Sequence, residues 1–339
     1  MNFFFFVFKY NFRKNSFNNF LKINKIKNYI VFDLSGPFKY YLFGKWVIFL
    51  IQKFNHFFNN TVLISCDAEP PLVKNSINIW FGGTSNKIPH DFTNLKNNCH
   101  VFDNFIKQEE NLLALYPHNP SSFIYREKPK IIFIGDFTNY NYSIVDEMWL
   151  KEKDNIFKNF QIIDNKFFWE KYNLQNHKKI QEYYIAIKDL LRFNLIVELD
   201  ILFEDDLIIV GSKWKSHIKS SLKSNYNARY LKSLYAGNIC LDFGSKWGNN
   251  CLYPRSTNII ESGGLLLQSK QSDTEEVFIN NHQNVTFNSL DELSKKIKNL
   301  LNNKNEIKNL YNIQYEFFNN ENLNYNTLKN ILLISKKNN

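Results

Sequence analysis

Short apolar runs that close on glycine recur along this chain, and segments of helical pattern separate them. The runs include "YIVFDLSG" (29–36), "INIWFGG" (77–83), "KIIFIGD" (130–136), "DLIIVGSKW" (206–214) and "NICLDFG" (238–244). None alternates cleanly between apolar and polar residues, so none reads as a strand with one wet face. Strands buried on both faces belong to parallel sheets covered by helices. The expected fold class is therefore α/β with parallel sheets.

Further strands are expected at "TVLIS" (61–65), "HVFDN" (100–104), "GLLLQ" (264–268) and "NVTFN" (284–288). Helical patterns cover 40–58, much of 137–174, and 178–203 as one helix or a pair. Ser289 and Glu292 have capping-box spacing, and Leu290, Leu293, Ile297, Leu300 and Leu301 behind them share one helical face. Helical pieces at 304–318 and 326–334 close the chain, and the first thirty residues carry no clean pattern. Three prolines and two serines in "YPHNPSSFIYREKPK" mark a linker. The expected domains are 1–125 and 126–339.

The net charge of +10 is uneven: nine Lys or Arg face only Asp33 in the first sixty residues, a local +8. Such a segment suits an anionic membrane surface, nucleic acid or plain solvent. Cys66, Cys99, Cys240 and Cys251 form neither a C-x-x-C pair nor a metal-ligand spacing, which fits thiols in a reducing cytoplasm. In "MNFFFFVFKY" the apolar run precedes the charges, the reverse of a secretory signal, and it is too short to span a bilayer. "YLFGKWVIFLI" (41–51) is also short and is broken by Lys45. No transmembrane helix is expected. Walker loops, nucleophile elbows and histidine clusters are missing too, so no metal or cofactor is expected.

Six of the eleven glycines lie between 211 and 264, and Gly135, Gly211 and Gly244 each end an expected strand. Ligands of open parallel sheets bind beyond the carboxyl ends of strands, where helix N-termini offer N–H groups to anions. In "CLYPRSTNIIESGGLLLQS" (251–269), Arg255 opens a helix of one to two turns that stops at Gly263-Gly264. A core helix needs neither feature. A guanidinium there suits a phosphate, the alternative being an ion pair with Asp242 or Glu261.

From about residue 130 to 331 the chain resembles the nucleotide-binding half of GT-B glycosyltransferases, in particular the CgeB-like (spore-maturation) group. The resemblance rests on Arg255 with Gly263-Gly264 and "LLLQS", on "EEVF" (275–278) and the helix after it, and on the strands ending at Gly135 and Gly211. It implies two Rossmann-like domains facing a cleft, a nucleotide-sugar donor on the second, and no obligatory metal. Arg255 would meet the diphosphate, supported by Lys213, Lys246 and the backbone at Gly135, Gly211 and Gly244. The family's glutamate three residues after the arginine is Asn258 here, which weakens the expected ribose contact. Glu261, one turn on, is the substitute candidate.

An inverting enzyme needs a base for the acceptor hydroxyl. Asp67 and Glu69, just after the strand at 61–65, are the candidates, with His90 and His100 behind them. "FEDDL" (203–207) precedes a strand and reads as a turn, not a metal site. The reading is a cytoplasmic glycosyltransferase acting on a glycan, lipid-linked or protein acceptor, with peripheral contact to the inner membrane surface as an option. The alternatives are a catalytically weak nucleotide-sugar binder and a basic membrane- or nucleic-acid-binding protein. Nucleic acid is disfavoured as a partner, because it leaves the 255–269 block unexplained.

Overall fold

The structure is a computed structural model. It describes residues 3–8, 29–33, 46, 49–50, 53–54, 61–66, 77–82, 98–102, 121–138, 140–214, 216–223, 228–244, 254–271, 274–275 and 282–318. The chain divides into two compact units, one of residues 1–119 with 318–339 and one of residues 120–317.

The first unit carries β1 (Phe3–Phe8), β2 (Tyr29–Asp33), β3 (Thr61–Cys66), β4 (Ile77–Gly82) and β5 (Asn98–Phe102). They form one sheet in the order β2-β1-β3-β4-β5, every neighbouring pair parallel. The order reverses between β1 and β3, as in a doubly wound sheet. β1 is the "FFFFVF" run that the sequence pattern leaves unassigned, and it lies inside the sheet with Phe5 opposite both Ile30 and Leu63. In the expected helix over 40–58, Trp46, Phe49, Leu50 and Lys53 are helical, and Phe54 N donates to Leu50 O at 2.9 Å. Trp46, Phe49, Leu50 and Phe54, at helical spacing, are exposed, Trp46 by 65%.

The second unit begins with β6 (Ile131–Ile134). The mostly helical stretch that follows is α1 (Ser143–Lys158), a 3-10 turn (Phe160–Asp164) and α2 (Lys166–Glu170). A single helix, α3 (Ile180–Phe203), then leads to β7 (Leu207–Val210). β8 (Ser221–Lys223) and α4 (Ala228–Tyr235) lie where the sequence shows no pattern. Next come β9 (Ile239–Asp242), α5 (Pro254–Glu261) and β10 (Leu265–Ser269). The strand expected at 284–288 is a one-turn helix, α6 (His282–Val285), followed by only two strand residues, β11 (Thr286–Phe287). α7 (Leu290–Asn302) and α8 (Lys304–Phe318) complete the unit, and the helix expected at 326–334 lies outside the described residues.

The second sheet runs β11-β10-β9-β6-β7-β8, all parallel. Read from β8, and counting from β6, this is the 3-2-1-4-5-6 order of the Rossmann fold. Its interior strands are mainly apolar because both faces are covered, and polar residues enter only toward their carboxyl ends: β6, β9 and β10 are wholly buried. α3 contributes Ile187, Leu191, Leu195, Ile196 and Leu199 to this core, and α1 contributes Met148 and Ile156. The capping expectation at α7 holds in modified form. Ser289 Oγ accepts from Glu292 N at 3.1 Å, while the Glu292 carboxylate accepts from Asn288 N at 2.8 Å, one residue before the cap. α8 closes the sheet through Gln314, whose amide accepts from Leu266 N (3.0 Å) and donates to Leu266 O (2.9 Å), replacing a missing strand partner.

Candidate functional site

The switch point of the second sheet lies between β6 and β9, where the winding reverses. Crevices at such points, beyond the carboxyl ends of the strands, are where doubly wound sheets bind ligands. Three strand ends meet there. Gly135 N donates to Val210 O at 2.9 Å, and Ser212 N donates to Asp136 Oδ1 at 2.6 Å. Trp214 Nε1 donates to Gly135 O at 2.8 Å. A Cβ added to Gly211 would lie 2.1 Å from Gly135 O, so only glycine lets these two strand ends approach so closely.

Arg255 is the second residue of α5, behind Pro254, whose lack of an N–H costs nothing at a first helical position. A cation there opposes the helix dipole, and the first turn carries no acidic residue. Helix stability therefore does not account for this arginine. Asp242, fully buried at the end of β9, holds it: Arg255 Nη1 donates to Asp242 Oδ1 at 3.2 Å, and the arginine side chain is 18% exposed. The same carboxylate accepts from Gly244 N (3.0 Å) and Ser256 Oγ (2.7 Å). Gly244, at φ +75°, makes the turn that returns its N–H to Asp242. The guanidinium stands over the end of β6, where a Cβ on Gly135 would be 3.7 Å from Arg255 Nη2. The alternative of an ion pair with Asp242 is thus real, but it is a half-buried pair that aims the guanidinium at the crevice.

Not all the expected site residues gather here. Gly135, Gly211, Gly244 and Arg255 do. Lys213 follows Gly211 with an exposed side chain and a left-handed backbone at φ +69°. Asn258 lies mid-helix in α5, and its carbonyl accepts from Ser262 N and Oγ. Glu261 ends α5, about 9 Å further along the axis than Arg255; its carbonyl accepts from Ser121 N at 3.1 Å. Gly263 and Gly264 then sit at the opposite end of the strands from Gly135 and Gly244. Gly263 turns the chain at φ +82°, and a Cβ on Gly264 would be 2.7 Å from Tyr235 O. These two glycines shape the entry to β10 and are not part of the crevice. Asp67, Glu69 and Lys246 lie outside the described residues, as do His90 and "EEVF" beyond Glu275.

Residues with no motif of their own complete the crevice. Arg192 on α3 pairs with Asp189 and donates to Asp136 O at 2.9 Å. Burial pulls its pKa down, Asp189 opposes this, and nearby Arg255 adds to it. One signal was available: Asp189 and Arg192 stand three apart within the mainly apolar helical run 180–203, a spacing that places an acid and a base side by side on one face. Lys188, also pushed down by burial, pairs with Asp164 at 3.2 Å. Between α3, the 3-10 turn and the ends of β9 and β10 lies a cavity of about 40 Å³, lined by Lys188, Arg192, Phe243, Gly244 and Gln271 among others. Small-molecule sites usually span some 300–1,000 Å³, so the space enclosed by the described residues is smaller than a whole nucleotide pocket.

Residues 192–332 match a family model described as glycosyl transferase-like. No curated protein matches the chain in sequence. Several solved structures are similar over nearly their whole length. One is the crystal structure of the DNA-modifying enzyme beta-glucosyltransferase in the presence and absence of its substrate uridine diphosphoglucose. It has a TM-score of 0.50 and 11% identity over 99% of both chains. An apo structure of OtsA has a TM-score of 0.50 and 9% identity over 98% of this chain and 99% of its own. A T4 phage BGT variant in complex with UDP-glucose has a TM-score of 0.50 and 11% identity over 98% of both. At these identities the likeness concerns fold. The chain has the GT-B architecture of two Rossmann-like units.

Proposed function

We propose that this protein is a glycosyltransferase that uses a nucleotide-sugar donor, with the donor's diphosphate held at the switch point of the second sheet. The observation that carries the reading is Arg255. A half-buried guanidinium stands at a helix N-terminus that offers no acid, aimed over the glycine-lined ends of β6 and β9 by Asp242. The match of 192–332 to a glycosyl transferase-like family model supports it. So do similar folds that have UDP-glucose as substrate or ligand.

In the reaction, the bond from the sugar's anomeric carbon to the diphosphate oxygen breaks, and a bond to an acceptor hydroxyl oxygen forms. Negative charge grows on the departing diphosphate, and preorganised donors there lower the barrier. Arg255 supplies that stabilisation, with the N–H groups at the start of α5 beside it and Lys246 and Lys213 in support. The hydroxyl proton passes to a base, which we assign to Asp67 or Glu69 on the acceptor side, in the domain of residues 1–125. The donor side is the domain of residues 126–339. The transfer proceeds without a metal, in the cytoplasm, on a glycan, lipid-linked or protein acceptor.

Incubation with UDP-, GDP- and ADP-sugars, followed by assay of the freed nucleoside diphosphate, tests the activity. One of these donors is expected to be hydrolysed slowly without acceptor, and Arg255→Ala should slow that by about 100-fold. Wild type that neither binds nor cleaves any of them would overturn the reading.

A further inference from the structure

Gln271 follows β10 and is 5% exposed. Its Nε2 donates to Ser269 O at 3.0 Å and to Ser269 Oγ at 2.7 Å, which fixes the orientation of the amide, since a backbone carbonyl only accepts. The other end of the amide, Oε1, is buried and has no hydrogen-bond partner among the described residues. Buried acceptors are normally satisfied, so an orphan calls for an explanation. The amide lies flat against Gly244, where a Cβ would come within 2.6 Å of Nε2 and 3.0 Å of Oε1. Gly244 thus leaves room for Gln271 as well as turning the chain after β9.

Gln271 lines the 40 Å³ cavity beside the switch point. The cations on that wall are matched: Lys188 by Asp164, Arg192 by Asp189 and Lys270 by Glu275. Among the described residues of that wall, a phosphate would find no excess charge. The space exceeds the 10–15 Å³ that admits one water-sized group, and it suits a hydroxyl or hydroxymethyl. An uncharged O–H donor is the complement of a lone carbonyl oxygen between balanced ion pairs.

We propose that Gln271 is a specificity-determining residue whose Oε1 accepts a hydrogen bond from a hydroxyl of the bound nucleotide sugar. This inference rests on the donor reading above. The hydroxyl belongs either to the ribose or to the transferred sugar, and the test separates the two.

Isothermal titration of UDP, GDP and ADP and their glucose esters first identifies which binds wild type. The 2′-deoxyribose form of that ligand and its glucose-deoxy forms are then titrated against wild type, Gln271→Met and Gln271→Glu, with folding checked by circular dichroism. In wild type, loss of one particular hydroxyl is expected to weaken binding roughly tenfold. Gln271→Met, which has no strong acceptor, should bind the parent ligand about tenfold more weakly and no longer distinguish it from that deoxy form. Gln271→Glu keeps an acceptor oxygen but loses the N–H that donates to Ser269 O, so it should weaken binding of the parent ligand and the deoxy form alike while still distinguishing the two. A 2′-deoxy effect assigns the ribose, and a glucose-deoxy effect assigns the sugar. Unchanged discrimination in Gln271→Met would overturn the inference and leave Oε1 facing a water-filled gap. Absence of binding by wild type to every ligand would instead sink the donor reading beneath it.

Discussion

Replacing Asp242 by alanine removes the partner of three groups at once: Arg255 Nη1, Gly244 N and Ser256 Oγ. Asp242 is completely buried and Arg255 is 18% exposed, so this is a mostly desolvated pair. Breaking a buried pair by deleting one partner typically costs about 3–5 kcal/mol, and an orphaned buried N–H or O–H about 1–3 kcal/mol. These costs overlap, and water reaches part of the guanidinium, so the lower figure of about 3 kcal/mol is the expected loss. For a unit of this size that corresponds to a fall in melting temperature of roughly 6–12 °C. Asp242→Asn keeps an acceptor oxygen but not the charge, and it should lose about half as much. Differential scanning calorimetry of the two variants decides the matter. An Asp242→Ala protein melting within 2 °C of wild type would refute the claim that this carboxylate organises the strand ends and aims Arg255.

Gln314→Met leaves the N–H and C=O of Leu266 without partners beside a fully buried strand, and should cost about 2–4 kcal/mol in urea unfolding. Glu152 gives a pH signature. Burial raises its pKa, but hydrogen bonds from Lys171, Asn155 and Tyr172 outweigh this and hold it below the ordinary 4.5. The unfolded chain therefore takes up the proton first, so the stabilisation is present above pH 4.5 and is lost as pH falls through the lowered value. Wild type should lose more stability than Glu152→Gln between pH 5 and pH 3 in urea titrations. Trp46, Phe49, Leu50 and Phe54, exposed within the basic first sixty residues, should carry the protein onto vesicles containing anionic lipid and not onto neutral ones. Trp46→Ser with Phe49→Ser should abolish that flotation.

The strands that end in glycine were legible in the sequence because their chemistry is local: an apolar run covered on both faces, then a turn. β1 has the same apolar character but no glycine behind it, and a chain rich in phenylalanine blurs the signal of any one run. β8 and β11, three and two residues long, take their pairing from neighbours and carry no pattern of their own. At the site, Arg255 could be found because it sits where no helix wants a cation. Glu261 and Gly263-Gly264 join it in the sequence through the resemblance, whose pattern runs from the arginine to the paired glycines. A helix of eight residues separates its ends by about 12 Å, which carries them to the far end of the sheet. Arg192, Asp189 and Gln271 reach the crevice from α3 and from beyond β10, brought together only by the crossover topology.

Whether Arg255 meets the phosphates of a bound nucleotide can be measured. Titration calorimetry of UDP, GDP and ADP against wild type and Arg255→Ala tests it most directly. One of the three is expected to bind wild type, and the alanine variant to bind it at least tenfold more weakly, as loss of a charge-assisted contact requires. Equal affinity in the two proteins would contradict it and place any nucleotide away from the switch point of the second sheet.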